Sequence, residues 1–250
     1  MKLIGLLGGM SWESTALYYR LMNEEVRAKL GGLHSARVLL HSVNFHEIER
    51  RQHKGDWAGT AEILGKAAKG LKAGGAEFLV IATNTMHKVA LEIEAASGLQ
   101  ILHIADPTGE ALINAGVKKV GLLGTRFTME QNFYRDRLID KFNLDVMTPD
   151  LGDRDTIHRI IYEELCLGII KPESTDAFCA IIDKLKQSGA EAVILGCTEI
   201  AMIVSTANSS LPVFDTTALH AKAAVALALT WVIKKRHRST VFQNHLQIKL

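Results

Sequence analysis

A heptapeptide near the start of the chain, Lys2-Leu-Ile-Gly-Leu-Leu-Gly8, returns as Lys118-Lys-Val-Gly-Leu-Leu-Gly124 with five identities in seven, 116 residues later. A second segment, Gly75-Ala-Glu-Phe-Leu-Val-Ile-Ala-Thr83, returns as Gly189-Ala-Glu-Ala-Val-Ile-Leu-Gly-Cys197, offset by 114. One short match arises by chance. Two in the same order at nearly the same offset indicate a duplicated unit, and duplication predicts two similar halves related by a pseudo-two-fold axis.

The repeated segments are short apolar runs, and the sequence between them is helical in pattern. Lys2–Leu7, Val38–Val43, Phe78–Ala82, Ile101–Ile104, Val120–Leu123, Ala192–Leu195 and Val213–Asp215 read as strands. Amphipathic stretches separate them, near Glu13–Leu30, Trp57–Ala73, Met86–Ala95, Asp106–Ala115, Glu130–Phe142, Asp153–Leu167, Glu173–Gly189 and Ala218–Lys235. Continuous apolar strands alternating with helices predict α/β architecture, with parallel sheets covered on both faces. With 48% hydrophobic residues and only 4 prolines, the 250-residue chain has material for such cores and no low-complexity linker. The expected division is a first α/β domain from 1–104 plus 214–235, a second from 105–213, and a basic tail from 236–250. In this division the last helix crosses back to the first domain.

Charge and cysteine content narrow the function classes. The net charge is +2, but residues 234–250 hold five Lys or Arg and no acid, so residues 1–233 are net acidic. Nothing in that balance favours a nucleic-acid partner. The basic charge near Lys234 is expected to cap the last helix. Cys166, Cys179 and Cys197 form no CxxC pair, which suits a reducing cytoplasm. The apolar run from Ala218 to Ile233 includes His220 and Lys222 and falls short of a membrane span. No HExxH, HxH or spaced acidic triad suggests a metal, and the expected site uses no cofactor.

In parallel sheets, ligands bind at the carboxyl ends of the strands. The repeat-equivalent strands end on Thr83-Asn84-Thr85 in one half and Cys197-Thr198-Glu199 in the other. A pseudo-two-fold sets these clusters face to face across a cleft. Cys197, between a strand and a helix start, is predicted to have a lowered thiol pKa. Cys166 and Cys179, among Leu, Ile, Phe and Ala, read as core. Asn84 or Thr85 caps a helix, and His87, one turn on, either orients a group or is a satisfied histidine. The turn Gly5–Thr15, which contains Met10, matches no nucleotide motif; its glycines allow a tight turn or close approach to a small anion. Thr125, after the second copy of that turn, offers a hydroxyl from the opposite wall. Among Arg50, Arg51 and Gln52 after the second strand, and at Lys171, lie candidates to bind a substrate carboxylate.

Taken together, Gly8-Gly-Met-Ser-Trp-Glu-Ser-Thr15, Ala82-Thr-Asn-Thr-Met-His87 and Leu195-Gly-Cys-Thr-Glu-Ile200 resemble the aspartate/glutamate racemase family, in particular its aspartate racemase branch. The resemblance spans about Lys2 to Ile233. It implies cofactor-independent racemisation at the α-carbon of an acidic amino acid, with two cysteines on opposite faces as base and acid. It also implies that the second-half cysteine faces the α-hydrogen of the L isomer. This sequence departs from the family at the first cysteine position, which is Thr83. The expected roles are then Cys197 as base toward L-Asp or L-Glu and Thr83 as the proton donor, with L favoured. Met10, Arg51, Gln52, Asn84, Thr85, Thr125, Lys171, Thr198 and Glu199 are the expected substrate-binding residues, and a homodimer is the expected assembly. A single-cysteine decarboxylase or isomerase of small diacids, and a non-catalytic binder of acidic amino acids, are the alternative readings.

Overall fold

A computed structural model describes residues 1–230. The elements run β1 (Ile4–Gly8), α1 (Trp12–Leu30), β2 (Val38–Ser42), α2 (Phe45–His53), α3 (Trp57–Ala73), β3 (Phe78–Ile81), α4 (Ala90–Ser97) and α5 (Ala105–Asn114). They continue with β4 (Lys119–Gly124), α6 (Arg126–Glu130), α7 (Asn132–Phe142), β5 (Asp145–Met147), α8 (Leu151–Glu163), α9 (Pro172–Gln187), β6 (Ala192–Gly196) and β7 (Val213–Asp215). A last helix, α10, begins at 216 and runs through 230, the last described residue. The basic tail and its capping role lie outside the described residues.

Two parallel sheets form, ordered β2-β1-β3 and β5-β4-β6-β7. The repeat is visible in their registers. Ile4 pairs with both Val38 and Phe78 around β1, as Val120 pairs with Val146 and Ala192 around β4. A single bridge sets Ile101 beside Leu79, where Val213 sits beside Val193 in the other sheet. β1, β3 and β6 are buried at every residue, which explains why they read as unbroken apolar runs rather than alternating ones.

Each sheet is covered on both faces. On the first, Leu7, Leu79 and Ile81 pack against α3 and α4, while Ile4, Leu6 and Val80 pack against α1 and α10. On the second, Leu123, Val193 and Leu195 face α8 and α9, while Val120, Leu122 and Ile194 face α5 and α7. The last helix crosses over: α5, just before β4, packs on the second sheet, whereas α10 comes after β7 yet packs on the first. Ala221, Ala224, Val225, Ala228 and Leu229 supply α10's buried stripe at helical spacing.

Several expected elements differ. Ile101–Ile104 is not a strand beyond its one bridge, because the chain turns at His103, whose Nδ1 accepts the Ala105 N–H at 3.2 Å. The helix expected over Met86–Ala95 starts as a 3₁₀ turn, Thr85–Val89, where His87 reaches back to the Thr83 carbonyl. The segment Glu130–Phe142 breaks at Gln131, which is extended. Phe45–His53, which is not among the expected helices, is a helix capped by Asn44. Cys179 is no core residue: it is half-exposed on α9, and its thiol lies 3.3 Å from the Asn208 carbonyl.

Candidate active site

The carboxyl ends of β3 and β6 meet in a cavity between the two sheets, lined from one side by Thr83, Asn84 and Thr85 and from the other by Gly196, Cys197, Thr198 and Glu199. Met10 and Gln52 join from the first half and Thr125 from the second. Nine of the eleven site residues expected from the sequence are thus brought together. Hydrogen bonds cross between the halves beside the cavity: Thr85 Oγ1 and Thr125 Oγ1 lie 3.2 Å apart, and Asn84 Nδ2 donates to Thr216 Oγ1 at 3.1 Å.

The remaining two sit elsewhere. Arg51 is bound to Asp56, which caps α3, and its guanidinium lies against Gly59, where even a Cβ would collide with it. Lys171 pairs with Glu164 at 3.3 Å, beside Arg159 and Ser174. Both cations are taken by neighbouring carboxylates, so in this conformation neither faces the cavity. The glycines of the first turn also have an internal purpose. A Cβ on Gly8 would meet Thr15 at 2.4 Å, Gly9 sits at φ +92 against Val43, and the Gly9 N–H donates to Thr15 Oγ1 at 2.9 Å. Close packing of protein against protein, not approach to an anion, explains them.

Cys197 departs from the expected electrostatics. Its thiol donates to Glu199 Oε2 at 2.9 Å, and burial, together with the neighbouring Glu199 carboxylate, holds its pKa well above the ordinary thiol value. The next segment is a short 3₁₀ turn, Thr198–Met202, not an α-helix with a developed dipole. Glu199 is itself encaged. Oε1 accepts from Ser11 Oγ at 3.1 Å and Ser14 Oγ at 2.9 Å; Oε2 accepts from Thr198 Oγ1 at 2.7 Å and from Cys197. Four side chains thus converge on this one carboxylate.

Thr83 is set by its backbone. The His87 Nδ1–H donates to the Thr83 carbonyl at 2.9 Å while Nε2 accepts the Ile104 N–H at 3.2 Å, so the ring is neutral with its tautomer fixed. Burial lowers its pKa to about 4. The satisfied-histidine and orienting roles coincide in one side chain. Two buried carbonyl oxygens in the cavity, Gln52 Oε1 and Asn84 Oδ1, have no hydrogen-bond partner among the described residues. Unpaired buried acceptors are costly, and a donor-rich ligand group would satisfy them.

The residues that sequence reasoning missed come from helices. Phe45, Ile161, Tyr162 and Cys166 line the cavity, and Ser11 and Ser14 hold Glu199. Ser11 and Ser14 lie inside the Gly8–Thr15 motif; Tyr162 and Cys166 carry no local signal. The free volume is only about 30 Å³, room for a water or two. Side chains of the two halves also meet directly: Trp57 against Phe127 at 5.6 Å, His53 against Tyr162 at 6.0 Å, and Lys88 Nζ on Gln131 Oε1 at 2.6 Å.

The geometry offers a thiol and a hydroxyl from opposite sheets, with acceptors and hydroxyls between them. Comparison with known proteins bears on the chain as a whole. Residues 7–224 match the model of the Asp/Glu/Hydantoin racemase family. A solved structure of a Yersinia pestis protein assigned as an Asp/Glu racemase is 57% identical, covers 92% of this chain and 100% of its own, and superposes with a TM-score of 0.87. An aspartate racemase homologue from Pyrococcus horikoshii OT3 is 34% identical over 91% of this chain and 99% of its own, with a TM-score of 0.79. A broad specificity amino-acid racemase of Bacillus subtilis (strain 168) is 26% identical over 68% of this chain and 72% of its own length.

Proposed function

The chain belongs to the Asp/Glu/Hydantoin racemase family and is an isomerase; from that premise we propose that it racemises aspartate or glutamate at the α-carbon without a cofactor, through Cys197 and Thr83. The observation that carries this reading is that the two repeat-equivalent strand ends put one thiol and one hydroxyl into the same cavity. Inverting a stereocentre needs proton removal from one face and delivery to the other, and two groups on opposite walls supply both.

In the proposed cycle the substrate ammonium docks on Gln52 Oε1 and Asn84 Oδ1, the two buried acceptors left unpaired. The hydroxyls of Thr85 and Thr125 stabilise the carboxylate as charge develops on it, while Thr198 stays on Glu199. Cys197 passes its proton to Glu199 and the thiolate removes the α-hydrogen from the L face. Thr83 then donates its hydroxyl proton to the opposite face, giving the D isomer. A hydroxyl is a far weaker acid than a thiol with its ordinary pKa of about 8.5, so Thr83 is a poor base in the reverse sense.

L and D isomers have equal free energy, so the two directions must share one kcat/KM. The asymmetry between Cys197 and Thr83 is therefore expressed in exchange. In D2O, solvent deuterium is expected to enter L-aspartate or L-glutamate faster than the D isomer forms, while the D isomer exchanges slowly. Chiral chromatography with mass detection reads both rates. Faster exchange from the D isomer overturns the assignment of faces, and decarboxylated products overturn the reaction class. Cys197→Ala is expected to lower inversion by about 10²–10⁴-fold, the range of a positioned acid–base group. The same reading carries a reducing cytoplasm, suited to three free cysteines, and a homodimer, for which exposed apolar side chains such as Leu151 and Leu167 offer area to bury. Sedimentation measures the assembly.

A further inference from the structure

Glu199 has two sides. Oε2 faces Cys197 and the substrate cavity, whereas the two serines on Oε1, Ser11 and Ser14, line a second cavity of about 210 Å³ that also reaches Leu17, Leu165 and Met202. Ser14 Oγ further lies 2.5 Å from Thr198 Oγ1, so the hydroxyls and the carboxylate form one connected chain. The substrate cavity has room for a water or two at about 30 Å³, and an amino acid filling it leaves no solvent against the thiol. The second cavity is about seven times larger by those two volumes and stays open to water behind the carboxylate.

We propose that Cys197 exchanges its proton with solvent through Glu199 and Ser14 into this second cavity, while substrate occupies the first. The proposal rests on the racemase reading. The steps balance in protons. The Cys197 S–H bond breaks as a proton passes to Glu199 Oε2, leaving a thiolate and a carboxylic acid. The acid rotates or shares its proton onto the Oε1 side and donates to Ser14 Oγ as the Ser14 O–H proton leaves to a water of the second cavity. That water carries the charge to bulk. The thiolate then accepts the α-hydrogen, and the thiol so formed empties by the same route. On the opposite face a water returns a proton to the Thr83 oxygen after inversion. Glu199 and Ser14 are positioning residues here, since neither touches the α-carbon.

The consequence is measurable because a proton trapped on Cys197 can only go back to the substrate it came from. Solvent exchange of L-aspartate then stops while inversion, whose new hydrogen comes from the Thr83 side, continues, with Glu199 holding the first thiol proton until product leaves and water re-enters the substrate cavity. Ser14→Val and Ser14→Thr have the same shape and differ in the hydroxyl. With L-aspartate in D2O, Ser14→Val is expected to lower the ratio of deuterium incorporation to inversion by about tenfold or more, within the range of one proton-transfer group. Ser14→Thr should restore it. Met202→Trp, which fills the second cavity and leaves every residue of the hydrogen-bonded chain unsubstituted, should lower the same ratio and keeps the test available if the Ser14 variants fold poorly. A packing defect slows both rates together and leaves the ratio unchanged; an unchanged ratio in Ser14→Val and Met202→Trp overturns the route. A wild-type protein that neither exchanges nor inverts any acidic amino acid sinks the racemase reading instead.

Discussion

At Cys197 the surroundings work against the base that the proposed reaction needs. Burial and the adjacent carboxylate both disfavour the thiolate that proton abstraction needs, yet that same carboxylate is the acceptor for the thiol proton. Removing its charge therefore has two opposite effects. Glu199→Gln is expected to lower the thiol pKa, read as ultraviolet thiolate absorbance against Cys197→Ala, and still to cut inversion by about 10²-fold, because the proton acceptor is gone. A raised thiol pKa in that variant would contradict the electrostatic account. Thr83, Asn84, Thr85, Cys197, Thr198 and Glu199 were legible because strand ends are marked by where an apolar run stops. Tyr162 and Cys166 were not, since a helical period separates core from surface and says nothing about a cavity at one end of the helix. Arg51 and Lys171 misled for the opposite reason. A cation is visible in a sequence, but the local carboxylate that neutralises it, Asp56 or Glu164, becomes its partner only once the chain has folded.

Three elements bring histidines into one buried cluster: the 3₁₀ turn after β3 holds His87, the turn before α5 holds His103, and α10 holds His220. Ring centroids of His87 lie 4.6 Å from His103 and 5.8 Å from His220, and His220 is fixed between the Tyr18 hydroxyl and the Leu102 carbonyl. Burial lowers the pKa of His87 to about 4 and of His220 to about 3, and holds that of His103 far lower than usual. The unfolded chain protonates these rings below about pH 6.5 while the folded one does not, so the unfolded state binds the extra protons. Stability is then expected to be full at neutral pH and to fall as pH drops from about 6.5 towards 4. At pH 5 the loss should be about 2 kcal/mol for each buried ring, measured as a shift in urea midpoint. No shift between pH 7 and pH 5 would mean that the rings are accessible. The elements themselves were mostly legible, β1, β3 and β6 as unbroken apolar runs. β5 was not, because Asp145-Val-Met147 is three residues long and only partly buried.

Across the whole molecule the two halves are bound by α10, which follows the second sheet and covers the first. The second sheet and its helices lie on one continuous segment, 105–215, whereas the first sheet takes part of its cover from the far end of the described chain. Thermal and urea unfolding are expected to show one cooperative transition with coincident probes, and a chain ending at Asp215 should lose the fold of the first sheet as well as the helix. Two separated transitions would show that the halves are independent. The repeat made the two-fold architecture legible at this scale. The contacts between the halves were not, because Trp57 with Phe127 and His53 with Tyr162 are pairs of side chains far apart in sequence.

The crossing of α10 also orders events during synthesis. β1, β2 and β3 leave the ribosome early, but the face of Ile4, Leu6 and Val80 is covered by α1 alone until residues 221–229 have been translated. The half made first is finished last. Over that interval the nascent chain carries an apolar sheet face in need of shelter, so a slowing of translation before codon 216 is expected to cost more soluble protein than the same delay placed after codon 230.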